Sequence, residues 1–406
     1  MTRRERVMAA LNFQPTDKLP KDLSGMRSTG ISCFAYPKLI DALGLAPRRP
    51  RVYDTGQMLA LPDTDVLDAL DCDVVVVEAG MTNAFPQPEI WHDYDFNGRL
   101  PAQVQRPDAY KAQPDGTISM DGWSTMVPDG YVFNAEHAGQ NIDFLADLPI
   151  PDVKAHEENL KKNGIISDEY LDELVKFLQK ARASTDRAIF ASLPYLNPGI
   201  SIGAFGGIGV FPILCLEEPE IVASLHELSS EYAAKNAAKM GQAIAPYVDV
   251  LMATADDWGT QNSLMASPSV FRELFLPYFR RFNEAMHVSA PETKIFMHSC
   301  GAIYDIIDMI IEAKFDVLNP VQWSAGKQGY AEWKNKAKGR IAFWGGGVDS
   351  QHTLPLGSVD DVVKEIEQVM PIMKESSGYV FCNIHNILAE IQPEKVIAMY
   401  KTAGRY

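Results

Sequence analysis

From about residue 165 onward, short apolar runs alternate with longer stretches in which apolar positions recur every three or four residues. The short runs predict strands: AIFASL (188 to 193), VDVLMAT (248 to 254), KIFMH (294 to 298), FDVLN (315 to 319), RIAFWG (340 to 345) and GYVFCNI (378 to 384), with CDVVVVEA (72 to 79) nearer the start. The longer stretches predict helices: EEPEIVASLHELSSEYAAKNAAKMGQAI, SPSVFRELFLPYFRRFNEAMH, GAIYDIIDMIIEA and SVDDVVKEIEQVM. The second and fourth open on a serine that can cap, and the fourth has an acidic first turn that suits the helix dipole. Strands apolar on both faces, with helices between them, imply a parallel sheet covered on both sides. That is either a doubly wound sheet or a (β/α)8 barrel.

Three regions depart from the alternation. The N-terminal MTRRERVMAALN reads as a short amphipathic helix without the long apolar core of a secretion signal, and about residues 1–70 form an N-terminal helical extension. Residues 85 to 165 are turn-rich with short strand-like pieces, a hairpin-like insertion near the mouth of a barrel. Residues 194 to 216 carry no charge and are long enough to cross a bilayer. Their prolines and glycines make a poor lipid-exposed helix, so a buried or pocket-lining loop is expected. The same glycines lack the spacing and acidic ribose anchor of a dinucleotide loop. No repeat or linker divides the chain, which reads as one domain over 1–406.

The net charge of −16 changes the picture of partners: nucleic acid and an anionic membrane both need a basic face, which leaves small molecules and proteins. Five widely spaced cysteines (Cys33, Cys72, Cys215, Cys300, Cys382) are no disulfide framework in a chain of 406 residues, and a reducing cytoplasm is expected.

Chemistry collects just after the strands: Asp256 and Asp257, His298 and Cys300, Asn319 and Gln322, three glycines and Asp349, and Cys382 and His385. In a barrel these ends share the C-terminal mouth, where such enzymes work. Each has a plainer reading. An aspartate of the 256/257 pair can cap a helix or bind loop backbone, Asn319 and Gln322 can satisfy loop amides, and the glycines make a tight turn. His298 and Cys300 carry the sharper signal, since imidazole and thiolate are zinc ligands and residues two apart project to the same side of an extended strand end. Cys382 or His385 could supply a third ligand. Three protein ligands with an exchangeable fourth is the catalytic pattern, whereas a structural zinc wants four ligands, usually from paired C-x-x-C elements absent here.

The stretches TRRERVMAALN, TGISCFAYPKLIDALGL, ADDWGTQNSLMASPSVFRELFLPYFRR, KIFMHSCGAIYDIIDMIIEAKFDVLNPVQ, AFWGGGVDSQHTLP and PEKVIAMY together resemble the uroporphyrinogen decarboxylase superfamily over nearly the whole chain. Within it they look like the cobalamin-dependent methyltransferase branch, whose H-x-C is matched by HSCG. The resemblance implies a (β/α)8 TIM barrel, a zinc held by His298, Cys300 and His385, with Cys382 as the alternative third ligand, a corrinoid supplied on a partner protein, and a small methylated donor, a methoxylated aromatic first of all. Relatives ending in H-N-I place the third ligand at His385, and thiol-acting ones use a cysteine for which Cys382 is the local candidate. Asp256 or Asp257 would orient a ligand or supply a proton. Arg27, Asn319, Gln322 and Asp349 are the candidate substrate contacts. The arginine-rich segment by which true decarboxylases handle carboxylates is reduced here to SGMRSTGIS, with only Arg27, which speaks against decarboxylation. Methyl transfer from a corrinoid to a thiol, porphyrinogen decarboxylation, and a non-catalytic barrel with a structural zinc are the rival readings. A homodimer is compatible with the sequence.

Overall fold

The computed structural model describes residues 1–122, 124–133, 150–199 and 210–406. Its central sheet contains seven parallel strands in sequential order: β1 (Val74–Glu78), β2 (Ala188–Ser192), β3 (Val250–Ala255), β4 (Lys294–His298), β5 (Val317–Asn319), β6 (Ala342–Trp344) and β7 (Tyr379–Val380). Each pairs in register with the next, as at Phe296↔Val317 and His298↔Asn319. These are the seven runs predicted from the pattern.

Closure comes from a piece with no strand-like signal. Residues 20–22 lie between β7 and β1: Phe381 N–H donates to Pro20 O and Asp22 N–H to Phe381 O (both 2.8 Å), while Asp73 N–H donates to Lys21 O (2.7 Å). With this segment the seven strands become eight staves and the sheet curls shut. Higher up, the same edge of β1 is taken by the antiparallel strand Met81–Thr82, so the extra stave stays short. The N-terminal stretch therefore holds a stave as well as helices.

Strand alternation divides the core. One buried cluster combines Val74, Ala188, Phe190, Val250, Phe296, Val317, Ala342, Trp344, Val380 and Cys382, one or two from every strand. These side chains fill the barrel interior, with Phe190, Phe296 and Trp344 meeting edge to face. The intervening residues, such as Ile295, Met297 and Leu318, join the larger cluster under the helices. Helix α1 (Arg3–Leu11), held by a Thr2/Glu5 capping box, adds Val7 and Leu11 to the interior cluster and plugs the barrel floor. Its arginines anchor it there. Arg4 donates to Asp249 (2.6 Å), which also accepts from Arg182 (3.0 Å), and Arg6 pairs with Asp73 and Asp17. Asp73 and Asp249 each stand just before a strand, so the N-terminal end of the barrel is charged but neutralised.

One predicted helix is broken where proline requires it. The stretch 267 to 287 divides at Phe275 into Pro268–Leu274 and Leu276–Ser289, with Pro277 opening the second. The predicted helix over 217 to 244 runs unbroken as Pro219–Ile244, Pro219 at its first position, with a separate short helix Phe211–Glu217 before it. Ser358 caps its helix as expected, whereas the Ser267 hydroxyl faces Ser269 instead of a backbone amide. The described residues among 85 to 165 contain one two-stranded and one three-stranded antiparallel sheet, His92–Asp95 with Pro101–Val104, and Tyr110–Ala112 with Ile118–Met120 and Ser124–Met126, while residues 123 and 134–149 of that insertion lie outside the described residues. Of the uncharged stretch 194 to 216, residues 200–209 lie outside the described residues. No helix among the described residues is long and apolar enough to cross a membrane.

Candidate metal centre

Alternation that buries Phe296 and Val317 inside the barrel also turns His298 and Asn319, at the tops of β4 and β5, inward. Past His298 the chain makes a tight turn. Gly301 has φ +90°, and a Cβ there would lie 2.2 Å from Gly259 O. A Cβ on Gly259 would lie 2.5 Å from Ala302 N. Two glycines thus let the loops after β3 and β4 pass backbone against backbone.

The H-S-C-G turn is clamped from three sides. Asp257 accepts from Cys300 N–H (2.8 Å), Gln322 from Gly301 N–H (2.7 Å), and Asn319 O from Ser299 N–H (2.7 Å). Ser299 in turn accepts from Trp258 N–H (3.0 Å). His385 follows β7 and is fixed through its own N–H, which donates to Ser350 (3.1 Å). Its ring stands 6.0 Å from that of His298.

These loops bring the ligand atoms of His298, Cys300 and His385 within 4.8 Å of one another, the only such group with metal-binding geometry among the described residues. His298 Nε2 is 3.4 Å from Cys300 Sγ. A tetrahedral zinc with ordinary Zn–N and Zn–S lengths needs about 3.5 Å along that edge. The donor set, one thiolate and two imidazoles, suits zinc chemically as well. Burial alone would raise the Cys300 thiol, but the charges of His298 and His385 outweigh it and hold Cys300 below the ordinary thiol range. Burial likewise opposes charge on His298, yet Cys300 and Asp257 hold it well above the usual imidazole value. Asp257, 3.6 Å from His298 Nε2, is kept ionised: burial would raise it, and the hydrogen bond and charge of His298 with the Cys300 N–H bring it down.

The other candidates fall in different places. Cys382 lies in the barrel interior among Val380 and Trp344, where burial pushes its thiol well up. It is not brought to the group, because alternation points it at the packed axis, whereas His385 stands beyond the strand end. Asp256 accepts from Thr254 Oγ1 (3.0 Å), and its N–H donates to His298 O. Arg27 donates to Asp54 (3.1 Å) and Glu78 (2.8 Å), so two carboxylates already face its guanidinium.

The remaining candidate substrate contacts are engaged within the protein. Asn319 is fully buried and bonds His298 and Trp344 O; Gln322 holds the turn; Asp349 accepts from Gln351 N–H and His352. For Asn319 and Gln322 the plainer reading, satisfaction of neighbouring groups, describes these bonds. Gly259, Ser299 and Ser350 support the centre without having been singled out. Of these only Gly259, two residues after Asp257, had a signal in its sequence position.

Residues 200–406 match the family profile described as Uroporphyrinogen decarboxylase (URO-D). No curated protein sequence matches the chain. Among solved structures, a methyltransferase from Methanosarcina mazei superposes with a TM-score of 0.56 at 16% identity, over 100% of this chain and 99% of that one. A xylanase from Thermoanaerobacterium saccharolyticum gives 0.34 at 12% identity, over 62% and 93%, and a GH10 xylanase from Thermobacillus composti 0.33 at 9%, over 61% and 87%. The Methanosarcina enzyme shares the fold; at the two lower scores no shared architecture is implied.

Proposed function

Given that the chain belongs to the uroporphyrinogen decarboxylase family, we propose that it is a zinc-dependent methyltransferase that takes a methyl group from a small methoxylated aromatic compound and passes it to a corrinoid on a partner protein. The observation that carries this reading is the convergence of His298, Cys300 and His385, from two loops distant in sequence, on one point at the barrel mouth. These three would hold the ion. Zinc bound there supplies Lewis acidity to the oxygen that bears the methyl group, as charge develops on it while the carbon–oxygen bond breaks.

The chain's own groups prepare that point. Asp257 and Gln322 fix the Cys300 turn through its two successive N–H groups, so the thiolate is aimed before anything binds. Asn319 and the packed interior beneath it keep the His298 ring from swinging into the barrel. With imidazole rather than a second thiolate as the third donor, the metal is less electron-rich. That favours drawing charge from an ether oxygen over activating a thiol. Porphyrinogen decarboxylation fits less well, since Arg27 already pairs with Asp54 and Glu78 and is not left to meet substrate carboxylates.

The test combines metal analysis with spectroscopy. Native protein is expected to carry about one zinc, and Cys300→Ala and His385→Ala much less. Mixing native protein with cob(I)alamin and a panel of methoxylated aromatics should discharge the cob(I) spectrum with at least one substrate, and Cys300→Ala should not. Zinc-free protein that decarboxylates uroporphyrinogen would overturn the reading.

A further inference from the structure

The structure assigns Asn319 a role that the sequence does not suggest: it is a positioning residue that holds His298 in one tautomer and one orientation, with Nε2 directed at the point shared with Cys300 and His385. The inference rests on the metal reading above and concerns how the chain prepares its own ligand.

The argument is one of donors and acceptors. Asn319 Nδ2 lies 2.8 Å from Trp344 O, a group that only accepts, so the amide cannot be flipped. Its Oδ1 therefore faces His298 Nδ1 at 2.6 Å, and because an amide oxygen only accepts, Nδ1 carries the hydrogen. Nε2 is then the ring nitrogen turned to Cys300 Sγ, 3.4 Å away. The amide is enclosed. Asn319 is fully buried, its backbone carbonyl binds Ser299 N–H, and a Cβ on Gly345 (φ +91°) would stand 3.2 Å from Nδ2. Strand pairing puts His298 directly beside Asn319, so the two move as one unit. An amide achieves this orientation without charge. A carboxylate in its place would make the imidazole a richer donor and weaken the electron-withdrawing power that ether cleavage needs.

The test measures zinc affinity by competition with a chromophoric chelator, and the thiolate-to-metal absorption of the cobalt(II)-loaded protein, in native and Asn319→Ala forms. Loss of a group that orients a metal-bound histidine typically costs about tenfold to a hundredfold in affinity. N319A is expected to fall in that range with its cobalt spectrum broadened. Native affinity and spectrum in N319A would overturn the proposal. Should N319A fail to fold, nitrogen NMR of the histidines in the native zinc-loaded protein decides: a proton on His298 Nδ1 supports the role, and a proton on Nε2 overturns it. Native protein that binds neither ion would instead overturn the metal reading, an outcome distinct from native and variant binding alike.

Discussion

Single residues here differ in whether their polar atoms have partners, and Asp22 is the instructive case. It sits fully buried in the closing stave, accepting from Gly25 N–H (2.7 Å) and Trp344 Nε1–H (2.9 Å). Burial, with help from the nearby charge of Asp73, exceeds what these bonds return, and its carboxyl is raised to about 6 from 3.8. A carboxyl raised by folding prefers its proton in the native state. Its contribution to stability is therefore largest below about pH 4 and is lost as pH rises through about 6, by roughly 3 kcal/mol in all. Asp22→Asn lacks that loss. The stability difference between variant and native protein should move by about this amount in the variant's favour between pH 4 and 7, as read from urea unfolding at several pH values. A constant difference would show that the group is not buried as described.

At the scale of elements, the close pass of the loops after β3 and β4 decides where the ligands stand. Gly301 with φ +90° and 2.2 Å between its virtual Cβ and Gly259 O admits no side chain without moving one loop. Gly301→Ala is expected to cost about 2–4 kcal/mol in urea unfolding, and to lower zinc content with it, because Cys300 N–H and Gly301 N–H would leave Asp257 and Gln322. Unchanged stability with unchanged zinc would mean that the loops tolerate separation.

The whole molecule has two unlike ends. The floor is closed by α1 and by buried carboxylates paired with arginines; the mouth carries the candidate ligands. Asp249, nearly inaccessible, accepts from Arg4, Arg182 and Ile189 N–H, just before β3 begins. Asp249→Ala leaves buried donors unpaired and should destabilise the fold by about 3 kcal/mol. The six residues of β3 separate it from the mouth by roughly 20 Å, so zinc affinity should stay within about twofold of native. A parallel loss of zinc would mean that the two ends are coupled.

Much of this was legible in the chain. All seven strands of the sheet announced themselves, because a strand buried on both faces must be apolar throughout, and their ends delivered His298 and Cys300 as a pair by simple two-residue spacing. The stave at residues 20–22 was not legible: it is short, polar and rich in turn formers, and only its pairing with Phe381 and Asp73 makes it part of the wall. Spacing alone could not rank His385 above Cys382, since both stand near the end of one strand; only the resemblance put His385 first. Which of them faces the packed interior and which reaches the mouth depends on where β7 stops and its loop turns. The same holds for Asn319 and Gln322, whose amides could have served substrate or backbone until their neighbours were in place. Local pattern and residue chemistry thus determined the architecture and two of the three candidate ligands. The third candidate ligand, the closing stave and the partners of the buried amides were decided only by contacts between segments far apart in the chain.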